Sequence, residues 1–207
     1  MIDRVHGGDI RRYIDNTPSY MRKVIDFSAN INPLGLSPRT KAAIIKNITG
    51  VVHYPEPGSR GLKKALAAFH NVKQDNLTVG NGSIELIYLI PKALKAKKIL
   101  IVTPTFSEYE FAAKVNGAKI IFVKTKESEN FRIEFSNLQK LLSRVDLVFL
   151  GNPNNPTGSC LHAKELSSLV EVCARHKTVL AIDEVFMDFA ETCDEDSFLS
   201  AAPKNKY

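Results

Sequence analysis

The chain has 207 residues, of which 44% are hydrophobic and 24% are charged, and 28 basic against 22 acidic side chains give a net charge of +6. This composition suits one globular domain, alone or with an arm, and excludes long disorder, collagen and coiled coils. No apolar run approaches the roughly 18 residues that a membrane span needs, so no membrane partner is predicted. Charged residues near the N-terminus argue against a signal peptide and predict a cytoplasmic protein.

The positive charge could attract either nucleic acid or small anionic metabolites. The lysines are scattered and no aromatic residues alternate with them, so we predict no nucleic-acid binding and favour small anions. Cys160, Cys173 and Cys193 lack the spacing of a disulfide framework or of a Cys-x-x-Cys metal site. We predict reduced thiols that pack in the core, and no metal site.

Residues 1–36 are predicted to form an N-terminal arm, because Gly, Asn and Pro interrupt them and no hydrophobic period is sustained. A helix is predicted to begin at Ser37, which caps it, and to end near Asn47. Apolar residues at helical spacing predict another helix over residues 60–69. A short strand is predicted at Leu77–Val79.

The rest of the chain alternates between helical and strand-like segments. Short, wholly apolar strands between helices predict an α/β fold whose parallel or mixed sheet is covered by helices on both faces. The predicted helices span residues 84–94, 107–116, 135–143 and 163–175, and the predicted strands span residues 99–103, 120–123, 147–150 and 179–182.

A glycine turn, Gly80-Asn81-Gly82-Ser83, precedes the helix 84–94. The N–H groups at a helix N-terminus are unpaired and carry the positive end of the helix dipole, so this turn could hold a phosphate. Its glycine spacing matches neither the P-loop nor the dinucleotide fingerprint. A tight turn with Ser83 as the helix cap fits the same residues, and the sequence leaves both interpretations open.

A second loop, Gly151-Asn152-Pro153-Asn154-Asn155-Pro156-Thr157-Gly158, directly follows the strand 147–150. Two Asn-Pro steps stiffen the backbone and keep each preceding residue out of helical geometry. The loop therefore presents an asparagine side chain at the carboxyl end of a strand, where ligands bind in open α/β sheets. A simple turn needs only one Pro and one Gly, so we interpret this run as functional.

Two other strands end in candidate binding residues. Asp183 follows the strand 179–182, and its carboxylate could keep a cationic ring nitrogen protonated, although an aspartate that caps the next turn is an equal alternative. Phe106 follows the strand 99–103 and could stack on a flat ligand, although core packing alone would explain it. Together, the four features are typical of a site for a phosphorylated aromatic cofactor.

These motifs occur in the order of a known family. Asn152–Gly158 followed by Ala181–Glu184, with Tyr54-Pro55 and Gly80–Ser83 ahead of them, resembles the fold-type I pyridoxal-phosphate enzymes of the histidinol-phosphate aminotransferase branch. The resemblance implies the large domain of a PLP-dependent transferase-like fold over residues 37–207, with a mixed, mostly parallel sheet.

Three further stretches narrow the resemblance. His6-Gly7-Gly8, the run Asp26–Gly35 and Phe186–Phe189 are similar to the threonine-phosphate decarboxylases of cobalamin biosynthesis. Such an enzyme decarboxylates L-threonine O-3-phosphate to (R)-1-aminopropan-2-ol phosphate. Aminotransferases of this branch usually carry Tyr where this chain has Phe186, which favours the decarboxylase.

The resemblance implies pyridoxal 5′-phosphate (PLP) as the cofactor and assigns a role to each motif residue. Asn155 is implied in substrate binding as well. The implied cofactor contacts are Gly82, Ser83 and Ile84 for the phosphate, Phe106 for the ring face, Asn155 for the 3-oxygen and Asp183 for the ring nitrogen.

The N-terminal segment contributes the remaining implied contacts. Tyr54 would reach the cofactor phosphate of a second subunit, which implies a homodimer. His6, Gly7 and Asn30 would contact the phosphorylated amino-acid substrate. These roles come from the resemblance alone.

The Schiff-base lysine of the family follows the Asp in a Ser-x-x-Lys context on a further strand, and these 207 residues contain no such segment. The C-terminal small domain has no counterpart either, so the chain resembles the amino-terminal part of the enzyme and no catalytic residue is assigned. Two alternatives stay open. One is histidinol-phosphate or a related class I/II aminotransferase, and the other is a non-catalytic fragment that binds a cofactor or partner.

Overall fold

The computed structural model describes residues 7–15, 18, 25–191, 197–199 and 201–204. The chain divides into two units, Met1–Pro55 and Glu56–Tyr207. The predicted arm, residues 1–36, falls within the first unit, and its separation from the rest at residue 36 stays a prediction.

The described part of the first unit contains two α-helices, α1 (Ile10–Asp15) and α2 (Pro38–Asn47). Helix α2 begins where the sequence predicts, because the Ser37 hydroxyl accepts the Thr40 N–H at 3.2 Å and so satisfies one of the unpaired donors of the first turn. None of the residues of α2 is buried.

The second unit is built on four strands: β1 (Lys98–Thr103), β2 (Lys119–Lys124), β3 (Leu147–Gly151) and β4 (Val179–Asp183). They form one sheet in the order β2-β1-β3-β4, and every pairing is parallel. The α/β fold and the four strand positions from residue 98 onward are therefore confirmed. Parallel strands bring their carboxyl ends to one edge of the sheet, which positions the candidate site there.

The helices of the second unit also match the sequence pattern to within a few residues. Their bounds are α3 Arg60–His70, α4 Gly82–Leu94, α5 Glu108–Val115, α6 Phe135–Leu142 and α7 Ala163–His176. Helices α4 and α5 pack in one layer and α6 and α7 in another.

Successive strand residues alternate between two apolar layers of the core. Leu100 and Val148 pack with the apolar residues of α6 and α7, whereas Ile101 and Phe149 pack with those of α4 and α5. Both faces of β1 and β3 are buried, which explains why these strands consist of continuous apolar residues instead of alternating ones.

The predicted strand at Leu77–Val79 is wrong. These residues follow a 3₁₀ turn and belong to no helix or strand. A strand forms only where its backbone pairs with a neighbour, and the described part of the chain places no strand beside this segment. The apolar pattern alone could not supply that neighbour.

Two observations bear on the remaining sequence-based expectations. None of the helices in the described part of the chain is long and apolar enough to span a bilayer. Cys173 is a buried free thiol in α7, and its burial raises its pKa to about 11, as expected for a cysteine that packs in the core. Cys160 is half-buried, and its thiol donates to the Leu161 carbonyl at 3.7 Å. Cys193 lies outside the described residues.

Candidate functional site

The candidate site lies at the carboxyl ends of β1, β3 and β4. In the register of β3 and β4, Gly151 pairs with Asp183, and the Asn152 N–H donates to the Asp183 carbonyl at 2.8 Å. The loop of two Asn-Pro steps therefore leaves the sheet directly beside the aspartate. This adjacency follows from the parallel pairing of strands that lie about thirty residues apart in the sequence.

The Asp183 carboxylate is held by two donors. Its Oδ2 accepts the Tyr109 hydroxyl at 2.9 Å and its Oδ1 accepts the Val185 N–H at 3.1 Å. Burial, and then the charge and hydrogen bond of Asp183, raise the pKa of Tyr109 well above its ordinary value. The phenol therefore stays protonated and donates a hydrogen bond to the carboxylate.

Aromatic rings surround this hydrogen bond. The Tyr109 ring stacks on Phe149 with centroids 5.1 Å apart and meets Phe106 edge-on at 5.8 Å. Tyr109 is only 2% exposed, whereas Phe106 is half-buried. The structure thus links two sequence-predicted residues, Phe106 and Asp183, through a tyrosine that contacts both.

The loop after β3 is closed by its first asparagine. The buried Asn152 side chain accepts the Leu161 N–H at 2.7 Å and donates to the Leu161 carbonyl at 3.3 Å, so the two ends of the loop are fixed together. Asn155 lies within this closed loop and is half-buried. A hydrogen bond from Thr105 to Asn154 joins the loop to the residues after β1.

The glycine turn begins helix α4, as expected, but Ser83 does not cap it. Asn81 takes the N-cap position, and the Glu85 carboxylate accepts its backbone N–H at 2.6 Å. Gly82 has a φ of +75°, in the left-handed region that glycine adopts without steric cost. Among the described residues no oxygen accepts the N–H groups of Ser83 and Ile84, so these donors are available to an anion.

Helix α4 is joined to the rest of the site through α5. The Tyr88 hydroxyl of α4 donates to the Glu108 carboxylate at 2.6 Å, and Glu108 directly precedes Tyr109 at the start of α5. The described structure records no direct contact between the glycine turn and Asp183.

The first unit holds the sequence-predicted substrate residues and Tyr54. Gly7 approaches the Ser28 carbonyl so closely that a Cβ atom would collide with it, and the Gly8 N–H donates to the Ser28 hydroxyl at 2.8 Å. The segment with Gly7 therefore lies beside the segment that leads to Asn30. His6 lies outside the described residues, and the Tyr54 side chain is 99% exposed.

The Ser28 hydroxyl donates in turn to the Asp26 carboxylate at 2.6 Å. This bond, with a second one from the Ser28 N–H, holds the pKa of Asp26 below its usual range. The ionised aspartate thereby orients the hydroxyl that accepts the Gly8 N–H.

Sequence reasoning missed Tyr109 and Asn154 as site residues. The signal for Tyr109 is its position three residues after Phe106 at the start of a helix, since that spacing places two side chains on neighbouring turns. Asn154 lies in the predicted functional loop, but nothing in the sequence distinguishes it from Asn152 or Asn155.

We expect Gly151→Ala to lower the affinity for PLP by more than its effect on the stability of the fold explains. A Cβ atom on Gly151 would lie 3.1 Å from Asn154 Oδ1 and 3.3 Å from the Asn154 Cα, so Asn154 would have to shift by a few tenths of an ångström, and the new methyl group would touch the Tyr109 hydroxyl at 3.4 Å. Overpacking of this kind costs about 1–3 kcal/mol. Urea unfolding measures that cost, and loss of PLP affinity beyond it would show displacement of the site. An unchanged PLP affinity would contradict this expectation.

The residues of the second unit fit PLP in their chemistry. The available N–H groups at α4 suit a phosphate, the half-buried Phe106 suits a flat ring, and the carboxylate of Asp183 suits a protonated ring nitrogen. Among the described residues, each of the Asp183 oxygens accepts one donor, which leaves each with capacity for another hydrogen bond.

Comparison with known proteins identifies the family of the chain. The family model for aminotransferase class I and II matches residues 22–204. A relative from Caldanaerobacter subterraneus subsp. tengcongensis, provisionally named a threonine-phosphate decarboxylase, is 40% identical over 184 residues, which are 89% of this chain and 48% of the relative. The threonine-phosphate decarboxylase of Salmonella typhimurium is 33% identical over 207 residues, which are 100% of this chain and 56% of the relative.

A solved structure shows the same fold. The histidinol-phosphate aminotransferase from Clostridium acetobutylicum superposes with a TM-score of 0.77 at 30% identity, over 88% of this chain and 53% of that protein. The chain thus spans about half the length of the curated relatives that it matches.

The extent of the family match decides the classification. It includes the whole sheet, the glycine turn, the asparagine loop and Asp183. PLP is the cofactor of this family. With the fold of a fold-type I PLP transferase and a family match over most of its length, the chain belongs to the aminotransferase class I and II family.

Proposed function

We propose that this chain supplies the cofactor-binding part of a PLP-dependent threonine-phosphate decarboxylase. The proposed reaction converts L-threonine O-3-phosphate to (R)-1-aminopropan-2-ol phosphate and CO₂. The observation that carries the proposal is the Asp183 carboxylate at the carboxyl ends of the strands, which accepts a hydrogen bond from Tyr109, whose ring in turn contacts Phe106. The names of the Caldanaerobacter and Salmonella relatives support the choice of reaction.

In this proposal, bound PLP supplies a protonated ring that accepts the electron pair left when CO₂ departs. Asp183 keeps the ring nitrogen protonated, because a carboxylate beside that nitrogen raises the nitrogen's pKa. Tyr109 fixes the orientation of this carboxylate through Oδ2. The hydroxyl remains neutral, so it adds a hydrogen bond without adding a second negative charge.

Other residues of the second unit bind and orient the cofactor in the proposal. The N–H groups of Ser83 and Ile84 bind the phosphate, and the positive end of the dipole of the 13-residue helix α4 favours that anion. The Gly82 N–H donates to the Gly80 carbonyl at 2.9 Å, so Gly82 shapes the turn beside the phosphate instead of supplying a donor. Phe106 packs on the ring face, and the Asn155 side chain bonds the 3-oxygen. These contacts orient the ring toward Asp183.

The first unit contributes substrate contacts and a dimer contact in the proposal. His6, Gly7 and Asn30 bind the phosphorylated amino acid, and Asn155 contacts it as well. The fixed approach of Gly7 to Ser28 supports a shared role for the two N-terminal segments. Tyr54 binds the cofactor phosphate of a second copy in a homodimer, which fits a ring that is 99% exposed in its own chain.

A second candidate function is transamination of histidinol phosphate, because the Clostridium acetobutylicum structure of that name has the same fold. Phe186 argues against it. This residue is half-buried two positions after Glu184, and its ring contacts Phe189 with centroids 6.4 Å apart. A phenylalanine lacks the hydroxyl that the aminotransferases of this branch usually offer to the cofactor oxygen.

The test adds PLP and L-threonine O-3-phosphate to the full chain and measures CO₂ and 1-aminopropan-2-ol phosphate. A parallel sample receives PLP and histidinol phosphate without an amino acceptor, and is assayed for pyridoxamine phosphate. Amine and CO₂ formation would support the decarboxylase, whereas pyridoxamine phosphate would overturn it in favour of the transaminase.

A control distinguishes catalysis from binding alone. PLP absorbance that persists through gel filtration, disappears on borohydride treatment without covalent labelling and gives neither product would overturn both enzymatic functions for this chain. That result would identify a non-catalytic cofactor-binding fragment. Failure to retain PLP at all would overturn the assignment of the site.

A further inference from the structure

Asn154 is the one asparagine of its loop whose side chain reaches the loop after β1 in the described structure. Its Oδ1 accepts the Thr105 hydroxyl at 2.6 Å, and its Nδ2 donates to the Pro104 carbonyl at 2.9 Å. Both ends of the amide therefore bond across the gap between two loops that lie 49 and 50 residues apart in the sequence.

The same residue also organises its own loop. Its Nδ2 donates to the Thr157 hydroxyl at 2.8 Å, its backbone N–H donates to the Ser159 carbonyl at 2.8 Å, and its carbonyl accepts the Gly158 N–H at 2.7 Å. The side chain is half-buried, and its Oδ1 lies close to the position that a Cβ atom would take on Gly151. These contacts fix the amide in one orientation.

Phe106 directly follows Thr105, and Asn155 directly follows Asn154. We infer that Asn154 is a positioning residue that holds Phe106 and Asn155 at a fixed separation before the cofactor binds. The ring-stacking contact of Phe106 and the 3-oxygen contact of Asn155 are therefore arranged together in advance. This inference rests on the proposed function, which assigns the cofactor contacts to Phe106 and Asn155. Asn154 acts through them.

The contacts require an amide in particular. The Thr105 hydroxyl needs an acceptor, and the Pro104 carbonyl needs a donor, so one planar group must supply both. Aspartate lacks the donor, and alanine lacks both groups. Prearrangement matters because a loop that is already ordered loses less conformational entropy when the ligand binds, which raises the affinity.

The test compares the full wild-type chain with Asn154→Ala and Thr105→Val. Hydrogen exchange is measured without cofactor, and PLP affinity and the induced circular dichroism of bound PLP are measured by titration. We expect Asn154→Ala to speed exchange in residues 105–107 as well as 152–159, to raise the PLP dissociation constant about tenfold, and to reduce the induced dichroism at saturation. Thr105→Val should produce part of each effect.

Asn116→Ala is the matched control. Asn116 is a half-buried asparagine of the same unit that also donates to two carbonyls, those of Tyr88 and Ala112, but it lies at the opposite end of α5 from Tyr109. It should leave PLP affinity, dichroism and the exchange of both loops unchanged. A double variant of Asn154→Ala and Thr105→Val should lose less affinity than the sum of the single losses, because both remove one shared bond.

The outcomes separate this inference from the proposed function. Unchanged exchange in residues 105–107 of Asn154→Ala would overturn the positioning role even if PLP binds normally to the wild-type chain. Equal losses of PLP affinity in Asn154→Ala and Asn116→Ala would also overturn it, because they would reflect general destabilisation. If the wild-type chain bound no PLP, the proposed function would fail, whereas the exchange data would still decide whether Asn154 couples the loops.

Discussion

Asp183→Asn is expected to lower the affinity of the chain for PLP by about 10- to 100-fold. The substitution keeps the size of the side chain and one oxygen that can accept the Val185 N–H, but it removes the negative charge. A hydrogen bond to a charged group contributes about 1.5–3 kcal/mol, and about 1.4 kcal/mol corresponds to a factor of ten in affinity. Absorbance titration with PLP measures the change.

Asp146→Asn is the matched control for this experiment. The Asp146 carboxylate also accepts backbone N–H groups, those of Lys97 and Lys98 at 2.8 and 2.9 Å, but it lies at the amino ends of the strands. Its substitution should leave PLP affinity unchanged. Similar affinities for the wild-type chain and Asp183→Asn would refute the assignment of Asp183 to the ring nitrogen.

Leu100→Ala is expected to lower the free energy of unfolding by about 2–5 kcal/mol. Leu100 lies on β1, inside the sheet, and is 0% exposed among the apolar residues of α6 and α7. Removing its side chain leaves a cavity between a sheet and a helical layer that can close only in part, so packing contacts are lost along with the transfer free energy. Urea unfolding followed by circular dichroism measures the loss.

Val115→Ala provides the comparison. Val115 is 68% exposed at the end of α5, so its truncation should change the free energy of unfolding by no more than about 0.5 kcal/mol. A loss below about 1 kcal/mol for Leu100→Ala would mean that β1 is not packed between two apolar layers. That result would call for a different sheet order.

Much of the fold was predictable because the buried strands have a distinctive sequence pattern. Parallel strands with both faces covered consist of continuous apolar residues, and β1 and β3 show this pattern clearly. The start of α2 was predictable for a local reason as well, since the Ser37 hydroxyl accepts the N–H of Thr40, only three residues along the chain. Leu77–Val79 shows where this reasoning fails. The segment has a similar apolar pattern, but in the described structure no strand lies beside it to pair with its backbone.

The candidate site was predictable in its parts. The glycine turn, the asparagine loop, Phe106 and Asp183 each follow a local signal at the end of an apolar segment. The role of Ser83 was harder to predict, because Asn81 takes the N-cap position and Glu85 accepts the Asn81 N–H, which leaves Ser83 inside the helix. Whether a serine caps a helix depends on the backbone geometry of its neighbours, which composition does not specify.

By itself, the sequence determined the positions of β1 to β4 and of α2 to α7 to within a few residues, the family and the chemical types of the binding residues. All of these depend on interactions between residues close in the chain or on motifs of consecutive residues. Only the tertiary structure decided that Tyr109 holds Asp183, 74 positions away, and that Asn154 joins Thr105, 49 positions away. The physical reason is the parallel pairing of β1, β3 and β4, which brings distant strand ends to one edge.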